Sequence, residues 1–191
     1  MGRKQSWDQA EVLASAMRLF RRRGYLGASV RDLEEATGLH PGSLYRAFKN
    51  KDELFSAALD VYNDKVVQAR VQTHLRESDD AVAGIRSFFT SAFENGIDPD
   101  PGCLLTNTAV ESFSVPQALP GVQRGLDLIE AGFTEALTRA GRAEAEVLAV
   151  QLLALYQGLL VLVRAGAPAT KLHTITESAI ASIDTDRKRK R

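Results

Sequence analysis

SVRDLEEATGLHPGSLYRAFKNK, Ser29 to Lys51, decides the fold. It reads as two short helices joined by a tight turn, followed by the start of a third. Ser29 is a good N-cap, and Asp32 lies three residues on, so the free amides of a helix start find acceptors. Val30, Leu33 and Ala36 give that helix a narrow apolar stripe. Gly38 supplies the left-handed backbone that ends it. Pro41 suits the first position of the next helix, where a missing amide hydrogen costs nothing, and that helix extends to Ala47. Leu44 and Phe48 turn to a core. His40, Gly42, Ser43, Tyr45 and Arg46 stay on or near the other face. Small, polar and basic residues at an exposed helix start suit a DNA major groove, because the backbone must come close to the base edges. Asn50 and Glu53 then open a long helix flanked by Lys49 and Lys51.

Working outward, Ser6 and Gln9 form a capping signal for a first helix, whose core stripe is Leu13, Ala16, Met17 and Phe20. Arg21 to Arg23 complement its dipole and Gly24 stops it. Before it, Arg3 and Lys4 sit in a short basic arm suited to phosphate or a minor groove, or simply to solvent. The fourth helix extends from Lys51 to Arg76, packing Leu54, Phe55, Ala58, Leu59 and Tyr62 onto the first three. One rigid rod would then have its ends in two parts of the molecule.

The runs LFRRRGY (Leu19 to Tyr25), ASVRDLEEATGL (Ala28 to Leu39) and GSLYRAFKNKDEL (Gly42 to Leu54) resemble the N-terminal helix-turn-helix domain of the TetR family of transcriptional regulators. The resemblance covers residues 10–59; beyond them the chain matches only in length and helical character. It implies an all-α fold of about nine to ten helices. Residues 1–51 would be a three-helix DNA-binding domain, with helix 4 bridging from residue 51. Residues 52–186 would be a helical ligand-binding and dimerisation domain, and residues 187–191 a basic tail. The resemblance further implies that the last two long helices form a homodimer interface. A small molecule bound in the second domain would change the spacing of the DNA-binding heads, most often to relieve repression.

Composition agrees with a soluble helical chain large enough to bury a core. The longest apolar run, Val147 to Val163, is broken by Gln151, Gln157 and Gly158, so no membrane partner is expected. No basic-then-apolar leader opens the chain, and a single cysteine suits a reducing compartment, so a cytoplasmic location is expected. The net charge of zero hides a separation. Residues 1–51 hold ten Lys or Arg against five Asp or Glu; residues 52–186 hold nine against nineteen; residues 187–191 are RKRKR. A basic head on an acidic body orients a molecule towards a polyanion.

In the second part, Asp80 and its neighbours cap a helix with Val82, Ile85, Phe88, Phe89, Ala92 and Phe93 on one face. Turn chemistry marks residues 96–102, and Cys103 to Phe113 form a short helix. Two long helices follow, Gly121 to Ala140 and Glu144 to Arg164; the second is apolar nearly all round and suits a four-helix bundle with a two-fold mate. A final helix covers Pro168 to Ile183. Phe88, Phe89, Phe93, Phe113, Tyr156 and Leu160 are candidates to surround an apolar pocket for an apolar or aromatic effector. Thr106, Asn107 and Gln157 would be its polar handles, although the same spacing also suits plain core. Cys103, at a helix start, also joins this group. PGCLL resembles a subset of the family in which this cysteine senses oxidants or electrophiles, yet Asp98 and Asp100 oppose a thiolate and favour a small buried hydrophobe.

For DNA, Ser29, Arg31, Ser43, Tyr45, Lys49 and Lys51 are candidates for phosphate contacts, and His40, Pro41, Gly42 and Arg46 for base edges. His40, His74 and His173 show no metal-ligand spacing, and no phosphate-cradling glycine loop or nucleophile elbow is present, so no metal, cofactor or catalytic residue is assigned. Two other classes stay open on residues alone: a helical enzyme whose residues converge in space, and an interaction module that binds nucleic acid without sequence preference through its basic ends.

Overall fold

The computed structural model describes residues 7–94 and 102–188, with side chains followed to Ile183. Among these residues every regular element is helical: α1 (Gln9–Gly27), α2 (Val30–Thr37), α3 (Pro41–Phe48), α4 (Lys51–Tyr62), α5 (Ala81–Thr90), α6 (Leu104–Val110), α7 (Leu119–Arg139), α8 (Ala145–Arg164) and α9 (Ala169–Lys188). The basic arm, the Ser6 cap, residues 95–101 and the end of the RKRKR tail lie outside the described residues.

The first three helices pack around Val12, Ala16, Leu19, Phe20, Leu33, Leu44, Phe48, Leu54 and Phe55. Phe20 meets Phe55 edge to face at 4.7 Å, and Tyr25 meets the same ring at 5.2 Å. The buried stripe of α1 is turned slightly from the expected one: Val12 and Leu19 are buried, while Leu13 and Met17 are only partly so. Asp8 caps α1 by accepting from the Ala10 amide at 2.8 Å. The α1 path does not stop at Gly24 but kinks there and continues to Gly27.

Ser29 and Asp32 form both halves of the capping box on α2, and Gly38 closes that helix at φ 68° with its amide on the Glu34 carbonyl. Pro41 opens α3, which buries Leu44 and Phe48. The α3–α4 corner is a γ-turn: the Asn50 amide reaches the Phe48 carbonyl at 2.6 Å across Lys49, which sits at φ 60°, ψ −53°. Asn50 then caps α4 through the Glu53 amide at 2.8 Å.

Beyond Tyr62 the α4 rod continues without a break to Arg76, through π-helical turns at Asn63–Val67 and Val71–Arg76 with one α turn, Gln68–Arg70, between them. Sequence explains the wide turns. Phe55, Leu59, Asn63, Val67, Val71 and Leu75 are all buried and follow one another at a constant step of four. On an α-helix each such step overshoots a full turn by about 40°, so the row would wind around the rod. Wider turns take up the overshoot and keep the row against one neighbour, α7. The small residues Gly121, Gly125 and Gly132 of α7 let the rod lie close. Phe88, Phe89, Phe133 and Tyr156 form an aromatic cluster in the body, with ring centroids 4.8–6.0 Å apart.

By length and composition α8 is apolar enough to cross a membrane. One face, with Leu148, Ala149, Leu152, Tyr156, Leu159 and Leu160, is buried in the protein core. The other presents Val147, Val150, Leu155 and Val161, between 42% and 54% exposed.

Candidate nucleic-acid interface

The exposed side of α3 is built by subtraction. With Leu44 and Phe48 anchored, His40, Pro41, Gly42, Ser43 and Arg46 stand in solvent, Tyr45 is half-buried, and Lys49 is exposed at the corner. No acidic residue interrupts this helix. A side chain added at Gly42 would meet nothing within 4 Å, so the backbone at the helix start is open to close approach. His40 makes no side-chain cap; Pro41 brings no amide hydrogen, and the Ser43 and Leu44 amides both reach the His40 carbonyl, at 2.9 and 3.0 Å.

The remaining candidates are engaged within the chain. Ser29 Oγ donates to Asp32 Oδ2 at 2.7 Å and accepts from the Asp32 amide at 3.1 Å. The Ser29 bonds, with Arg23 at 2.5 Å, hold the Asp32 carboxyl down at about 2. Arg31 is exposed and pairs with Glu35 at 3.3 Å. Lys51 turns away from the α3 face: its Nζ donates to the Tyr25 carbonyl at 2.5 Å and lies 4.2 Å from the centre of that ring. Burial lowers its ammonium pKa. Tyr25 in turn donates its hydroxyl to Asp52, and burial followed by that carboxylate pushes the phenol up to about 12.

Behind the kink of α1 the body grips the head by backbone atoms. Glu111 accepts from the Tyr25 amide at 2.6 Å. Asn107 Nδ2 donates to the Arg21 carbonyl at 3.1 Å, Arg164 reaches the carbonyls of Arg21 and Arg22 at 3.4 and 3.3 Å, and Arg21 Nε donates to the Gly102 carbonyl at 2.9 Å. Gly24 sits at φ 73°, ψ 178°, a backbone region essentially reserved for glycine, and an added side chain would overlap the Glu111 carboxylate.

The ten effector candidates separate. Phe88, Phe89 and Tyr156 are buried in contact with one another, and Leu160 is buried on the same helix as Tyr156. Thr106 donates to Gln157 Oε1 at 2.7 Å, while Gln157 Nε2 is buried without an acceptor. Cys103 is buried and accepts from the Tyr62 hydroxyl at 3.4 Å; burial, then Cys103, raises the Tyr62 pKa well above its ordinary value. Phe93 is only partly buried, with its ring 5.0 Å from His173. The Asn107 side chain bonds to the Arg21 carbonyl of α1 and, among the described contacts, to none of the other candidates. Phe113 stands in solvent on a 3-10 turn, because α6 ends at Val110 and the helical spacing does not reach it. Sequence reasoning also passed over Phe133 and Arg70, both of which meet the aromatic cluster. Among the described residues no three His, Cys, Asp or Glu are placed to hold a metal ion.

The sequence pattern of bacterial regulatory proteins of the tetR family matches residues 12–58. Over 143 residues, 73% of each chain, the sequence is 30% identical to the HTH-type transcriptional regulator YezE of Bacillus subtilis. The chain belongs to the TetR family of transcriptional regulators. It is also 34% identical over 109 residues to the HTH-type transcriptional repressor ComR of Escherichia coli, covering 56% of this chain and about half, 51%, of ComR. In three dimensions it is similar to a cysteine-substituted form of the TetR family regulator CifR in complex with 26-bp operator DNA, with a TM-score of 0.80 and 27% identity over 94% of this chain and 98% of that one. The matched residues include α2 and α3, the elements whose exposed face is described above.

Proposed function

We propose that the protein is a homodimeric repressor that binds a double-stranded DNA operator and is released from it by a small molecule held in the helical body. The observation that carries this reading is the α3 face: His40, Pro41, Gly42, Ser43 and Arg46 exposed together, with no acidic residue among them and an open backbone at Gly42. His40, Pro41, Gly42 and Arg46 meet base edges, with Arg46 suited to guanine. Ser43, Tyr45 and Lys49 meet phosphate, joined at the α2 start by Ser29 and Arg31. Lys51 acts from behind by holding Tyr25.

The second copy is supported by α8. Val147, Val150, Ala154, Leu155, Gly158 and Val161 make an outward strip of small and apolar residues along the helix, and an added side chain at Gly158 would meet nothing within 4 Å. A second α8 with its α7 covers that strip as a four-helix bundle. The two α3 helices then address half-sites about one DNA turn, ~34–36 Å, or a multiple apart. The aromatic cluster with Thr106, Gln157 and Cys103 is the effector region, and the Glu111, Asn107 and Arg164 contacts carry its state to the head. Chromosomal DNA as the target places the protein in the cytoplasm.

A gel-shift with DNA from upstream of the gene, run against excess unrelated competitor, tests the reading. Specific retardation that a dimer-breaking variant loses is expected. Equal retardation of every duplex would overturn operator recognition in favour of sequence-blind binding.

A further inference from the structure

Arg70 is an unusual cation for the interior of this body. Its side chain leaves the α4 rod between the two π-helical stretches and is partly buried. Nη2 donates to the Phe88 carbonyl and to Ser91 Oγ, both at 2.9 Å. The guanidinium carbon lies 4.9 Å from the centre of the Phe88 ring and 5.8 Å from that of Tyr156. Nε is buried and has no acceptor. No carboxylate among the described residues pairs with it. Other arginines of the body do find one: Arg76 bonds Glu135, Arg86 bonds Glu177 and Arg124 bonds Asp60. A cation held in an apolar setting with one N–H unanswered keeps a standing demand for an anion.

We infer that Arg70 is the anchor of the effector site and that the effector is an organic monocarboxylate with an aromatic or extended apolar body. The inference rests on the reading of the helical body as the effector domain. The chemistry of the surroundings selects this class. The planar guanidinium fits a carboxylate better than a point charge would. One unpaired cation neutralises one negative charge, so a doubly charged phosphate ester would enter with a charge left bare. Phe88 and Tyr156 lie against the guanidinium, and Phe133 and Phe89 pack onto those two rings, so an apolar body at the anchor would enter by parting a buried aromatic cluster. Burial pushes the Tyr156 phenol up to about 12, so it stays neutral beside the anchor and does not compete as an anion. Arg70 also acts on His74, which burial first and Arg70 second hold towards the neutral form; no second cation forms on that side to claim the carboxylate.

The test uses the full-length protein and paired probes: benzoate, cinnamate, phenylacetate and octanoate, each against its uncharged primary amide. Thermal shift reports binding, and release of the upstream DNA reports function. Carboxylates are expected to raise the melting temperature and weaken DNA binding by on the order of tenfold or more, with the matched amides inert. Arg70→Met is expected to bind DNA as the parent does and to lose the carboxylate response; Arg70→Lys keeps part of it. Should Arg70→Met fail to fold, the acid-against-amide comparison on the parent and the Arg70→Lys variant still decide. Amides as effective as acids, an acid response that survives Arg70→Met, or no response to any acid would each overturn the inference. A neutral compound that releases DNA in the parent and in Arg70→Met alike would overturn the anionic class while leaving the effector domain standing.

Discussion

The Glu111 carboxylate accepts the Tyr25 amide at 2.6 Å and covers the point where Gly24 would carry a side chain. Two residues far apart in sequence therefore define one another: the glycine leaves room for the carboxylate, and the carboxylate answers the amide that the kink exposes. Gly24→Ala is expected to cost about 1–3 kcal/mol from backbone alone, with the overlap added. Combining it with Glu111→Ala should return the overlap but not the backbone cost. Urea denaturation of the two single variants and the double measures this; a Gly24→Ala protein as stable as the parent would show that the grip is not made.

Among the described residues Lys49 is the non-glycine residue held at positive φ, at the corner that delivers α3. Lys49→Gly relieves that backbone and is expected to raise stability by about 0.5–1 kcal/mol. It also removes an exposed cation, so DNA binding should weaken for all sequences and its salt dependence should flatten. Denaturation and salt-titrated gel-shifts read the two effects separately.

Arg46 and Lys51 should differ in kind. Arg46→Ala is expected to cost ~1–3 kcal/mol of specific binding and relax one base position, leaving stability unchanged. Lys51→Ala should lower stability, because its ammonium is committed to the Tyr25 carbonyl and ring. Binding selections on randomised DNA, beside melting curves, distinguish them.

Asp32 makes the head acid-sensitive. Its carboxyl falls from an ordinary 3.8 to about 2 through Ser29 first and Arg23 after it. A folded value below the unfolded one contributes stability above the unfolded pKa and loses it as pH falls through the folded pKa. Stability should therefore decline between pH 4 and pH 2, and Asp32→Asn should decline less over that window. A pH series of melting temperatures for both proteins is the measurement; parallel curves would remove Asp32 from the account.

Gly158 gives a clean probe of association. It faces open space within one chain and sits inside α8. Gly158→Leu should favour the helix by about 0.5–1 kcal/mol in the monomer and block close approach of a second copy. Sedimentation should show a folded monomer with weakened DNA binding. A dimer of unchanged affinity would move the interface elsewhere.

Much of the head was readable because its chemistry is local. Ser29 answers Asp32 three residues away, Gly38 ends a helix by its own conformation, and Leu44 and Phe48 are one turn apart. Outside such spans the reading weakened. Asn107 shares a helix with Thr106 but bonds to α1, a direction fixed by packing between helices 86 residues apart in sequence. Phe113 looked like a pocket aromatic because helical spacing was carried past the true end of α6. Arg70 and Glu111 drew no assignment, since nothing near them in sequence shows that one meets a ring cluster and the other a kink. Lys51 was read from its charge, whereas its place was set by Tyr25, 26 residues earlier.

The wide turns between Asn63 and Arg76 have a mechanical consequence. Their pitch is imposed by the row of side chains against α7, so a change in that packing alters the winding of the rod and rotates whatever is mounted on its far end. Torsion, more than bending, is the motion such a shaft transmits. A head mounted there would be turned about the axis of the rod more than drawn along it, which distance measurements between labels on the head and the body would check.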